Sequence, residues 1–176
     1  MHNLPKKFYF IKNFNIKELK NLNTNTAIIY RNYEKKHDFT ELLQIKRYCK
    51  KKGLKIFLSN NFKLAYELKY DGVYLPSFNK SIKHLSYKLR KNFFIIGSAH
   101  NLKEIRLKEA QAVSLIFISS IFKKNNNFLG LYKFINLTNL TKKNVIALGG
   151  ISKINIKIIN FTKSIGYAGI SYFKKP

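Results

Sequence analysis

Apolar runs recur along the chain, separated by stretches that alternate polar and apolar residues at helical spacing. The runs are KFYFI (7–11), TAIIY (26–30), KIFLS (55–59), GVYLP (72–76), FFIIGS (93–98), VSLIFIS (113–119), NVIALG (144–149) and GYAGISYF (166–173). Most are nearly continuous, the pattern of parallel strands covered on both faces. Between them, DFTELLQIKRYCKKKG offers Asp38 as an N-cap with Glu41 three residues on, a capping-box pattern, and Gly53 as a C-terminal stop. NNFKLAYELKY predicts a short helix, and NLKEIRLKEAQ predicts one capped by Asn101. GLYKFINLTNLTKK and SKINIKIINFTKS predict two more, while SIKHLSYKLRK reads as a weak helix.

Eight strands alternating with helices predict a compact (β/α)8 TIM barrel, an α/β fold, with an open doubly wound sheet as the alternative. At 176 residues the chain is shorter than the usual ~200–250 of such barrels, and the eighth helix is expected to be missing. No internal repeat, linker or low-complexity segment interrupts the pattern, so a single domain over 1–176 is expected.

Composition then narrows the setting. No apolar run approaches the roughly 20 residues of a membrane span, and the N-terminus lacks the features of a signal peptide. The single cysteine, Cys49, excludes an intramolecular disulfide and fits a reducing cytoplasm. The net charge of +26 invites a nucleic-acid reading. Against it, only four of the 34 basic residues are arginines, and the lysines run from Lys6 to Lys175 without clustering. Weak, salt-sensitive adhesion to nucleic acid is expected from charge alone.

In a barrel, functional groups stand where strands end at their C-terminal side. Those positions here are Arg31-Asn32, Ser59-Asn60, Pro76-Ser77, Gly97 to His100, Ser119-Ser120, Gly149-Gly150 and Ser171. Hydroxyls, amides and glycines with one guanidinium suit a phosphorylated ligand: backbone amides and Ser171 cradle the phosphate, and Arg31 adds a fork of charged donors. Gly149-Gly150, just before a predicted helix, reads either as a bare amide pocket for an anion or as a tight turn without ligand. His100, at a strand tip, is a candidate acid/base or a helix cap; His2, His37 and His84 read as solvated.

Acids are scarce at those tips. Of eight, only Glu34 and Asp38, after the second strand, reach the C-terminal face. A paired-carboxylate hydrolase and a magnesium cage of protein oxygens are both disfavoured, and no Cys/His spacing suggests zinc.

The ordered segments IGSAH, ISSIF…LG, VIALGGI and GYAGIS, with DGVYLPS and IIYRNY before them, resemble the thiamine phosphate synthase and thiazole tautomerase family of TIM barrels across roughly 27–173. The resemblance implies that Arg31 contacts the diphosphate of a pyrimidine substrate and that Ser98 serves the pyrimidine site. It implies that Gly149, Gly150, Gly169, Ile170 and Ser171 hold the phosphate of a thiazole, and that His100 moves a proton in the tautomerase branch. Magnesium is implied as the cofactor organising the diphosphate. Here, however, Asn60 and Asn79 stand where the family has metal-binding aspartates, and Tyr33 stands where it has a lysine. The loop after the sixth strand reads KKNNNFLG, leaving Lys123 and Lys124 as its positive charges.

Three functions follow as expectations. The first is a transferase coupling hydroxymethylpyrimidine diphosphate to thiazole phosphate with release of pyrophosphate. The second is a tautomerase-like isomerase or a non-catalytic binder of phosphorylated ligands. The third is a basic nucleic-acid-associated protein. A homo-oligomer stays open.

Overall fold

The computed structural model describes residues 4–34 and 38–173. Eight strands close into one parallel barrel in sequence order: β1 (Lys7–Ile11), β2 (Thr26–Tyr30), β3 (Lys55–Ser59), β4 (Gly72–Leu75), β5 (Phe94–Ala99), β6 (Leu115–Ile118), β7 (Asn144–Leu148) and β8 (Ser164–Gly169). Closure is β1 against β8, with Lys7 opposite Tyr167 and Tyr9 opposite Gly169. The open sheet is thereby excluded. Six helices lie outside: α1 (Ile16–Leu19), α2 (Phe39–Lys52), α3 (Phe62–Glu67), α4 (Leu102–Ala110), α5 (Gly130–Asn139) and α6 (Ile156–Ile159). After β8 the described residues make a turn rather than a helix.

The continuous apolar runs are explained by two cores. Alternate residues, including Phe8, Phe10, Ile29, Phe57, Tyr74, Ile96, Phe117 and Ile146, fill the barrel interior. The intervening ones, such as Ile28, Leu58, Val73 and Ile116, pack with the helices. Inside, Phe117 meets Phe8 edge-on at 4.9 Å and Tyr74 at 5.5 Å, so aromatic rings fill much of the barrel's cross-section.

Several expectations are corrected. SIKHLSYKLRK forms only a 3₁₀ turn at Lys83–Ser86, and SKINIKIINFTKS condenses to the four residues of α6. β-Branched Ile and Thr and repeated Asn weaken that segment's helicity. β8 begins two residues earlier than GYAGISYF suggests and ends at Gly169. His84 is buried, its Nε2 2.9 Å from the Gln111 carbonyl, because the turn carrying it folds against the end of α4. His2 and His37 lie outside the described residues. Asp38 caps α2 by accepting from the Thr40 and Glu41 amides. Glu41 does not close the capping box. Its carboxylate accepts instead from the Phe14 amide (2.6 Å) and the Tyr30 hydroxyl (2.7 Å). A buried tyrosine hydroxyl needs a partner, and Glu41 supplies it.

Candidate functional site

A cavity of about 490 Å³ opens at the C-terminal end of the barrel. Its wall joins β1, β2 and the ends of β6, β7 and β8, and it gathers Arg31, Lys123, Gly149, Gly150, Gly169, Ile170 and Ser171 around one space. Seven residues expected from sequence to bind substrate thus share a single pocket. Phe10, Ser119, Ser120, Asn125, Leu148 and Ile151 complete the lining.

Each cation has a local reason for its place. The Arg31 amide continues the β2 ladder by donating to the Ile11 carbonyl at 2.8 Å. Its guanidinium lies 4.6 Å from the centre of the Phe10 ring, which orients the fork over the barrel's apolar plug. Lys123 is brought in by the loop after β6. The amides of Ile121 and Phe122 donate to the carbonyls of Leu148 (3.1 Å) and Gly149 (2.9 Å), tying that loop to the end of β7.

That docking also explains the glycine pair. Gly149 has φ +101° and Gly150 φ +74°, both in the region glycine favours. A Cβ on Gly149 would stand 2.3 Å from the Ser120 Oγ, and one on Gly150 2.6 Å from the Lys123 amide nitrogen. The glycines thus let the β6 loop close on β7, and the pair still lines the cavity. No helix N-terminus points at it, since α6 starts only at Ile156. The turn between is held by Asn155, whose Nδ2 donates to the Gly150 carbonyl (2.8 Å) and whose Oδ1 accepts from Ser152 (2.9 Å). We expect Gly149→Ala to lower stability by about 2 kcal/mol or more through clash and backbone strain. A calorimetric melt shifted by less than a degree would contradict the close packing of the loop on β7.

Ser98, His100, Asn60 and Lys124 do not line the cavity. Ser98 is buried and hydrogen-bonds Tyr74 inside the barrel, where burial pushes the Tyr74 hydroxyl up to about 12. His100 stands one residue behind the wall. Its Nδ1 is 2.8 Å from the Ser119 carbonyl and 3.1 Å from the Ser119 Oγ, so both contacts of this nitrogen are to Ser119. Its backbone amide donates to Glu104 at 2.7 Å. The sequence missed Asn125, whose loop carries no strand or helix pattern to locate it.

The opposite rim is neutral. Asn79 Nδ2 donates to Asn60 Oδ1 at 2.7 Å, and Asn79 Oδ1 accepts from the Ser81 amide at 2.9 Å. Behind this pair Lys108, fully buried, donates to the carbonyls of Pro76 (2.8 Å) and Asn79 (2.9 Å) and to Gln111 Oε1 (2.9 Å). Burial lowers its ammonium to about 8, with Glu104 acting in the opposite sense. Tyr33 and Ser59 share a 2.6 Å hydrogen bond beside them. Two amide oxygens already engaged, no carboxylate, and a lysine behind do not fit a magnesium ion. Among the described residues, no group of three or more His, Cys, Asp or Glu side chains could hold one. Glu34 reaches the rim but is bonded to Lys12 at 2.6 Å.

Comparison with known proteins agrees with this architecture. A family model described as thiamine monophosphate synthase matches residues 17–173. The chain is 28% identical over 153 residues to a thiamine-phosphate synthase of Hydrogenobaculum, covering 83% of this chain and 71% of the relative. It is 29% identical over 153 residues to that of Coprothermobacter proteolyticus, covering 83% and 72%. Among solved structures, thiamine phosphate pyrophosphorylase from Pyrococcus furiosus superposes with a TM-score of 0.75 at 23% identity, covering 94% of this chain and 85% of that one. No described helix is long and apolar enough to cross a membrane. With the family model spanning most of the barrel, the chain belongs to the thiamine monophosphate synthase family.

Proposed function

We propose that this protein joins two phosphorylated heterocycles in the manner of a thiamine phosphate synthase, a step of thiamine biosynthesis. The observation that carries the reading is one cavity in which a glycine-lined backbone turn faces two cations, Arg31 and Lys123. The backbone at Gly149-Gly150 and Gly169 to Ser171 receives the phosphate of the thiazole partner. Arg31 and Lys123 face the diphosphate of the pyrimidine partner. The bond from the pyrimidine methylene carbon to the diphosphate oxygen breaks, and pyrophosphate leaves with its electron pair. The thiazole nitrogen supplies the pair for the new C–N bond. Fixed positive charge at the leaving group lowers this barrier because it need not reorganise as charge develops. The leaving charge is assigned to Arg31 and Lys123, since the Asn60–Asn79 rim does not fit a metal.

The tautomerase alternative has less support. His100 commits Nδ1 to Ser119 and its ring is not part of the cavity wall. The test is direct: purified protein is given hydroxymethylpyrimidine diphosphate and thiazole phosphate, with magnesium and with chelator. Pyrophosphate release with formation of the coupled product is expected in both conditions. No turnover in either condition, with thiazole phosphate still bound, reduces the protein to a ligand binder.

A further inference from the structure

The other end of the barrel holds a second cavity, of about 560 Å³, larger than the one at the mouth. Lys6, Lys46, Lys50, Lys55 and Lys69 line it together with one acid, Asp71. Asp71 is already engaged: its Oδ2 accepts from the Ile56 amide at 2.9 Å, and its Oδ1 lies 3.6 Å from Lys55. Four ammonium groups on this wall therefore share no carboxylate of the lining. Lys69 is held with φ +54°, an unfavourable backbone for a lysine, and its amide is bonded to the Tyr66 carbonyl (3.1 Å). Burial, and then the charges of Lys69, Lys50 and Arg90, push the Lys46 ammonium below its usual range. Like charges gathered around a concavity repel one another, and a bound anion relieves that repulsion.

We propose that this cavity is a binding site for a compact oligophosphate, such as the tail of a nucleoside triphosphate or a short inorganic polyphosphate chain. The charge count favours three or more negative charges over a single phosphate. The volume lies in the range of small-ligand pockets. Cys49, Leu54 and Ile56 give the cavity an apolar floor. A single-stranded nucleic acid fits less well, because no aromatic ring among the described residues lines the cavity to stack a base. The site is separate from the mouth, which faces the opposite ends of the strands.

Calorimetric titration with inorganic tripolyphosphate at physiological salt tests this. Beside any binding at the mouth, a site with a dissociation constant below about 100 μM is expected, retained in Arg31→Met protein, and weakened at least tenfold in the Lys46→Gln/Lys69→Gln double variant. That variant should melt no lower than the native protein, since its lysines repel. Adenosine triphosphate binding tenfold tighter than tripolyphosphate assigns the site to nucleotides, and equal binding assigns it to the inorganic chain. The proposal is overturned by absence of a site, or by a site lost with Arg31→Met, which would place it at the mouth. An equal loss in a Lys103→Gln/Lys142→Gln control, where both lysines are exposed elsewhere, would mean diffuse charge and overturn it too. So would a 20-nucleotide RNA displacing tripolyphosphate at tenfold lower concentration. Loss of synthase turnover leaves this result untouched, so the two readings fail separately.

Discussion

Arg31→Met is expected to lower turnover of the diphosphate substrate by about 10²–10³-fold while leaving the protein folded. The fold does not depend on the guanidinium, because the Arg31 amide bond to the Ile11 carbonyl does not involve the side chain. What disappears is the planar cation facing the developing charge of pyrophosphate. Arg31→Lys should recover part of the rate but not all, because an ammonium is a point charge and lacks the fork that meets two phosphate oxygens. The measurement is single-turnover pyrophosphate release alongside a thermal melt. A change below threefold with an unchanged melt would remove Arg31 from the leaving-group site and with it the proposed mechanism.

Lys108→Met is the substitution expected to cost most in stability, about 2–3 kcal/mol, or some 4–10 °C in melting temperature for a chain this size. Methionine fills the space of the stem, which passes over Gly97, where an added Cβ would stand 2.8 Å from the Lys108 Cδ. It cannot donate, so Pro76 and Asn79 carbonyls and the Gln111 amide oxygen lose a partner in a buried place. The pH dependence has a definite sign. Burial lowers the Lys108 ammonium from its ordinary 10.5 to about 8 in the folded protein. Between those values the unfolded chain binds the extra proton, so the contribution of Lys108 to stability rises with pH across that window. The stability gap between native protein and variant should therefore widen from pH 8 toward pH 10. A gap that narrows would mean that the folded protein holds the proton more tightly, as an ion pair would.

The strand map was legible because a buried parallel strand needs apolar residues on both faces, and KFYFI, TAIIY and KIFLS match β1, β2 and β3 residue for residue. Helix starts were legible where a side chain does the capping, at Asp38 and Asn101. The same local logic failed for Glu41. Its spacing from Asp38 fits a capping box, but a carboxylate within reach of the buried Tyr30 hydroxyl gains more by satisfying it. His84 failed for a related reason: a short segment rich in Ser, Lys and His reads as solvated until α4 presents a carbonyl to cover it. Seven of the residues expected at the ligand line one cavity, because strand tips converge in any barrel. Which tips share a wall was not legible.

By itself, the sequence determined the alternation of eight strands with helical segments, and strand tips poor in acids and rich in glycine and amides. These follow from local patterning, which acts over a few residues at a time. Tertiary structure alone decided that Arg31, Lys123 and the glycine turn share one cavity while His100 and Ser98 stand behind or beneath its wall. It also decided that Asn60 and Asn79 bond to each other and that lysines far apart in the chain converge at the other end of the barrel. The reason is that a side chain's partner is set by strand register and loop docking, which bring together residues far apart in the chain, such as Arg31 and Ser171, 140 positions apart.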